Sequence, residues 1–362
     1  MSAVVIIIGV VLIAAVLADI INTLVATTTS RSQWWLTRVL YRVSWSMVSW
    51  IGARISDEHR RERFFSFYAP ISVLMLLVTW VSQQVLGYGL IWWGVGGVTG
   101  VESLKDSVYF SGVVFFTIGF GELVPAESVP RFGSLVEAFS GVLTTALVIG
   151  YLPQLYSAYS EREQKLLTLD DGSEGRITPA NLLLTRSADG DPRELDAFFS
   201  EWEAWIAQVL ETHTTFPMLS LFRSQHEGQS WITALGLVTD AAIHVELIEG
   251  GEARPAYWTL RRGVRLLHYL AADSDLSEYR ERLDADYERW EQPAFDGMYR
   301  ALEGNGFPML DYDEAMEHAM ELRRTYDAQL ERLIDVLQAP RGFSGHQIGH
   351  RHTSANFIPV DE

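Results

Sequence analysis

Thr117-Ile118-Gly119-Phe120-Gly121-Glu122 lies between two apolar segments, each long enough to cross a bilayer. A cation entering a narrow pore must give up its hydration shell, and rings of backbone carbonyls can replace it. Aiming successive carbonyls to one side needs alternating residues free of the Cβ restriction on φ, which glycine supplies at 119 and 121. Thr117 adds a hydroxyl at one end of the loop and Glu122 a carboxylate at the other. Such a short string recurs by chance, and a tight glycine turn with no ion in it is the alternative. The surroundings argue for the ion site: apolar helix, Gly-rich turn, short amphipathic segment, loop, apolar helix.

This arrangement resembles the selectivity filter of the potassium-channel superfamily, in the class with two pore-forming helices per subunit, over roughly residues 68–160. In that family's Thr-Val-Gly-Tyr-Gly pattern, Ile118 here stands for Val and Phe120 for Tyr, and Glu122 replaces the usual Asp. The resemblance implies K+ held by carbonyls of Thr117, Ile118, Gly119 and Phe120, with Gly121 completing the filter and Glu122 at its mouth. K+ is then the permeant ion, and no other cofactor is expected. Four strands are needed to enclose the ion and the chain holds one, so the resemblance implies a homotetramer. In this superfamily the filter tyrosine hydroxyl bonds the pore helix; Phe120 has none, which points to softer selectivity.

The flanks read accordingly. Residues 68–93 form an outer helix ending in Trp92-Trp93, followed by a turn at Gly94, Gly96, Gly97 and Gly100. Ser103 reads as the N-cap of a pore helix over about 104–116, whose partially negative C-terminal end favours a cation beyond it. Tyr109, Phe110, Phe115 and Phe116 pack behind the filter. The inner helix runs from about Pro130 to Glu161-Arg162-Glu163. Gly141 and Gly150 serve either as gating bends or as points of close helix packing. Pro153 removes a backbone hydrogen bond, giving a kink or hinge near the inner end. Glu137 lies in the outer third of this helix, near the filter, with its role open.

Charge divides the chain of 362 residues. Residues 1–163 carry a net charge of −1 and residues 164–362 a net of −17. The first part reads as membrane and the second as an acidic soluble domain, which would repel nucleic-acid phosphate. Below a cation pore that charge would raise the local cation concentration within about 8 Å. With no cysteine there are no disulfides or thiolate metal sites. The expected division is 1–27 an N-terminal membrane helix, 28–66 an Arg-rich interfacial helix and loop, 67–163 the pore domain, 164–194 a linker, 195–338 a helical cytoplasmic domain and 339–362 a disordered tail.

Residues 3–25 are apolar over a spanning length, and no positive n-region precedes them. Asp19 interrupts the run near one end and is expected to pair with a nearby arginine. Residues 34–52 place Arg38 and Arg42 on one helical face among tryptophans. Each arginine at the centre of a span would cost about 2.5–3.5 kcal/mol, so a helix lying on the membrane surface is expected, with a fourth span as the alternative. Arg54, Arg60, Arg61 and Arg63 then lie in the cytoplasm, which puts the N-terminus outside a multi-pass protein of the cell membrane.

Helical patterning continues over about 195–214, 228–248, 255–271, 276–291 and 312–337. No Gly-x-Gly-x-x-Gly follows a strand, so the nucleotide-binding domain found on many microbial potassium channels is absent. His213, Arg223, His226, Gln229 and Trp231 fall in the densest polar patch. They mark either a pocket for an unknown cytoplasmic ligand or a capped helix junction. Asp240 and His244, four apart, suit a metal, but a surface hydrogen bond is the expectation. No arrangement for nucleophilic catalysis stands out, so no enzymatic activity is expected. The fold class expected is an α-helical membrane protein: a tetrameric potassium-channel pore module, an extra N-terminal membrane helix and an all-α cytoplasmic domain. A weakly selective cation channel and a membrane-anchored scaffold with a non-conducting pore are the alternatives.

Overall fold

The computed structural model describes residues 2–24, 35–169, 177–187, 190–224, 229–249, 254–272, 274–286 and 292–340. His226, the turn at 170–173 and the tail beyond residue 340 lie outside them. Among the described residues the fold is helical, with one two-residue strand pair, and the chain divides into two compact units: Met1–Tyr159 with Thr214–Phe222, and Ser160–His213 with Arg223–Glu362.

The first unit contains α1 (Ser2–Leu24), α2 (Trp35–Gly52), α3 (Glu58–Ser66), α4 (Tyr68–Val95), α5 (Leu104–Phe115) and most of α6 (Ser128–Leu166). Among the described residues, three stretches are long and apolar enough to cross a membrane: Ala3–Leu24, His59–Val95 and Ser128–Leu169. The arginine-bearing α2 is not among them. α1 lies along α4 through glycines, since a Cβ on Gly9 would come 2.5 Å from the Gly87 carbonyl oxygen. Contacts of this kind replace the hydrophobic effect between helices in lipid. Asp19, fully inside, accepts from Thr37 Oγ1 at 2.5 Å and Trp80 Nε1 at 2.8 Å, which ties α1 to α2 and α4. These neutral donors stand where an arginine was expected; both lie far away in sequence, where helical spacing gives no guide to them.

The division at residues 214–222 departs from the expected domain boundaries. This segment, with a 3-10 turn at Pro217–Leu221, packs into the first unit beside α2 and α6. Phe216 meets the Tyr151 ring at 5.3 Å and Phe222 meets Tyr159 at 5.3 Å. Met218 sulfur takes the hydroxyls of Tyr41 and Tyr151, each at 3.7 Å.

The second unit holds α7 (Pro179–Leu184), α8 (Asp196–Thr215, ending in the first unit), α9 (Trp231–Glu246), α10 (Arg254–Ala271), α11 (Ser277–Asp286), α12 (Gln292–Gly304), α13 (Tyr312–Arg324) and α14 (Asp327–Leu337). α9 is buried along nearly its whole length and forms the centre of the core, as expected of a helix apolar on every face. The stretch expected to be a linker contains α7, capped by Thr178 and buried in that core. The single helix expected over 312–337 is two, broken at Thr325–Tyr326. The break turns the fully buried Tyr326 ring inward, and its hydroxyl donates to Asp240.

Candidate functional site

α5 starts at a reciprocal cap, in which Asp106 N donates to Ser103 Oγ at 3.3 Å and Ser103 N to Asp106 Oδ2 at 2.8 Å. Such a cap contributes about 1 kcal/mol and fixes the helix start. At the other end Thr117 N donates to Val114 O at 3.0 Å and Ile118 N to Val113 O at 2.8 Å. This pair of bonds is a helix C-terminal motif that needs a left-handed residue between helix and loop, normally glycine. Thr117 fills that place at φ 57°, although β-branched. Holding it there costs about 1–3 kcal/mol, and strain of this size concentrates at functional sites.

The left-handed φ then recurs at Gly119 (64°) and Gly121 (91°), while Ile118 and Phe120 between them have no positive φ. Alternating left-handed and ordinary φ is the backbone pattern that allows successive carbonyls to leave a strand on one side, instead of alternating as they do in a β-strand. A Cβ at Gly119 or Gly121 would meet nothing within 4 Å. Conformation, and not crowding, is therefore what calls for glycine here. The loop is open to its surroundings, with Phe120 69% exposed. The Tyr109 hydroxyl of α5 faces the Glu122 carboxylate. Beyond the loop, β1 (Val98–Thr99) and β2 (Val124–Pro125) pair antiparallel, and this pins the exit of the loop to the glycine turn before α5.

α6 closes the site from behind. Gly133 lies under the Trp92 indole, where a Cβ would come within 2.4 Å of the ring. Two turns on, a Cβ at Gly141 would lie 2.2 Å from the Phe115 carbonyl oxygen at the end of α5. Gly141 is thus a point of close packing between α6 and the end of α5. Gly150 has open space, and Pro153 lies inside α6 between the buried Tyr151 and Leu155. Gln84 Nε2 donates to Thr144 Oγ1 at 3.1 Å, a polar tie between α4 and α6.

In the second unit, the polar patch near residue 220 is split. His213 and Trp231 meet in a tilted ring contact with centroids 4.7 Å apart. Arg162, which the sequence reading placed only in a terminal charge cluster, lies with its guanidinium 5.0 Å from the Trp231 ring and Nη1 3.4 Å from His213 Nε2. His213 Nδ1 lies 2.8 Å from Val209 O, so both ring nitrogens are bonded. Burial first, and then the Arg162 charge, push the His213 pKa down to about 3. Arg223 goes elsewhere, donating to the Leu337 and Gln338 carbonyls at the end of α14, and Gln229 is buried.

Asp240 is buried, not on the surface as expected, because Tyr326 and Arg323 supply its partners, the latter at 3.7 Å. His244 lies half-buried one turn away, and desolvation pushes its pKa down to about 4. The Asp240–Arg323–Tyr326 arrangement is not visible in the sequence, since α9 and α13 are separated by three other helices.

Residues 71–158 match the family described as Ion channel. An uncharacterized membrane protein of Bacillus subtilis (strain 168), YdjJ, is 27% identical over 204 residues, covering 53% of this chain and 57% of the relative. The chain thus spans little more than half the length of that relative. No solved structure matches. The match covers the assembly around the loop, from α4 through α5 to the Pro153 region of α6, so residues 71–158 are similar to that ion-channel family, within a helical chain whose described residues include helices long and apolar enough to cross a membrane.

Proposed function

We propose that the chain forms a homotetrameric potassium-selective channel in the cell membrane. Its ions would pass along the carbonyls of residues 117–121. The observation that carries this reading is the left-handed φ at 117, 119 and 121, with none at 118 or 120, at the end of a capped short helix. One strand cannot surround an ion, so four copies meet on an axis. The N-terminus faces outward, and α2 lies along the inner surface with Arg54, Arg60, Arg61 and Arg63 following it. Purified protein in vesicles should pass K+ down its gradient and exclude Na+. Equal passage of both ions favours the second reading, a weakly selective cation channel, which the exposed, hydroxyl-free Phe120 supports. No passage of either ion favours a scaffold.

The soluble unit biases the gate in this reading. Residues 214–222 lie between two stretches of the soluble unit in the chain, and pack on α6 around Pro153. Movement of either flanking stretch would therefore pull on the pore-lining helix. Phe222→Ala, which empties the contact with Tyr156 and Tyr159, should change open probability by about fivefold or more, the lower range of allosteric couplings. Single-channel recording with an unchanged open probability would refute the linkage. The point change is cleaner than removing the soluble unit, which would also strip residues 214–222 from α6.

A further inference from the structure

Glu137 is fully buried in the membrane unit, and the ion path does not use it. Its Oε2 accepts from Trp92 Nε1 of α4 at 2.7 Å, and its other oxygen takes the Ser111 hydroxyl of α5. One carboxyl on α6 thus holds both other helices of the pore module. Its neighbours on the same face, four residues to either side, are Gly133 and Gly141. At those positions the Trp92 ring and the Phe115 carbonyl come too close for any Cβ. The register is therefore matched: Glu137 opposes Ser111, and one turn on Gly141 opposes Phe115, two residues before Thr117. The contact is also enclosed, since Tyr88, Trp92, Phe110 and Ser140 around it are all buried.

We propose that Glu137 is a positioning residue for ion selection. It braces α5 against α4 and α6, so that the loop beginning at Thr117 keeps one width. This rests on the reading of residues 117–121 as the ion path. A wide or slack carbonyl ring discriminates poorly between cations of different size and hydration. A brace at the base of α5 would therefore act on selectivity more than on assembly. Ser111 Oγ also lies 2.9 Å from the Val85 carbonyl, so its single proton faces two acceptors. Glutamine suits this geometry: its oxygen accepts from Trp92 and its amide donates to Ser111, whose proton then goes to Val85. Leucine keeps the volume and makes neither bond.

The test uses the full chain in vesicles, comparing Glu137→Gln and Glu137→Leu for K+ and Na+ flux. Glu137→Gln should keep the wild-type flux ratio, and Glu137→Leu should lower it about tenfold, in line with the loss of a buried hydrogen bond. Should Glu137→Leu fail to assemble, Trp92→Phe and Ser111→Ala each remove one arm and should lower the ratio in part. A wild-type ratio in all three overturns the brace, and so does a glutamine variant as impaired as leucine. Hydrogen exchange over residues 111–122 reads the same brace without any ion current. It should quicken in Glu137→Leu and not in Glu137→Gln, and unchanged exchange in both overturns the proposal. A wild-type protein that carries no current would instead sink the channel reading, leaving the exchange result to judge the brace.

Discussion

A chain carrying Gly119→Asp is expected to insert and assemble as the parent does, and to pass no potassium in reconstituted vesicles. Space is not the obstacle, because a Cβ at 119 meets nothing within 4 Å. Nor is the backbone a large one: φ is 64°, and Asp is among the few residues that enter the left-handed region, at about 1–2 kcal/mol for an L-residue. What changes is the path. In a tetramer four carboxylates would enter a passage wide enough for one dehydrated ion. Each would hold a cation too strongly to release it, or would deform the ring, whereas conduction needs sites weak enough to leave. Gly96→Asn is a stringent control. Gly96 has φ 74° with ψ −159°, a region essentially only glycine enters, and equally open space, but lies in the turn before α5, so conduction retained after its replacement shows that backbone cost alone does not stop the current. Potassium flux near the parent level in Gly119→Asp would end the account of residues 117–121 as the ion path.

The second large effect is expected from adding one methyl group at position 141. The new Cβ would lie 2.2 Å from the Phe115 carbonyl oxygen, and the neighbour is backbone, which cannot swing aside as a side chain does. α5 and α6 must then separate by about 1 Å to restore ordinary contact. Since Phe115 is two residues before Thr117, that displacement reaches the loop directly. Displacements of this size in a preorganised site cost about a hundredfold in rate, and a potassium flux reduced to that degree is the expected measurement for Gly141→Ala. Gly150→Ala separates this from any general need for helix flexibility. Position 150 has open space, so alanine there gains up to about 1 kcal/mol of helix propensity without a clash. Should the two variants reduce flux equally, Gly141 acts as a hinge and its contact with Phe115 is incidental.

The loop was legible because its chemistry is local. Glycines two apart, a Ser103 cap three residues before Asp106, and apolar runs of spanning length all operate within a few residues of chain. Short-range signals also placed α5 within a residue of its observed end. Even there the sequence was silent on Thr117, whose left-handed conformation follows from the closing bonds of α5 and not from residue type. The second unit was less legible. The interruption at Thr325–Tyr326 sits in a run with helical spacing throughout, and only the partner of the Tyr326 hydroxyl on α9 explains it. α7 falls in a stretch that reads as linker, because turn-forming residues flank its short apolar run on both sides.

The sequence by itself determined three helices long and apolar enough to cross a membrane, a glycine-punctuated loop between two of them, and an acidic helical domain. Each of these follows from length, hydropathy and backbone freedom, which act along the chain. Only the tertiary structure decided that Glu137 joins Trp92 and Ser111, that Asp19 meets Thr37 and Trp80, and that residues 214–222 belong with α6. These are contacts between residues about 18 to 70 positions apart, made by buried polar groups and aromatic rings that must find partners away from water. Which partner each finds depends on how the helices cross, and helical periodicity carries no record of that.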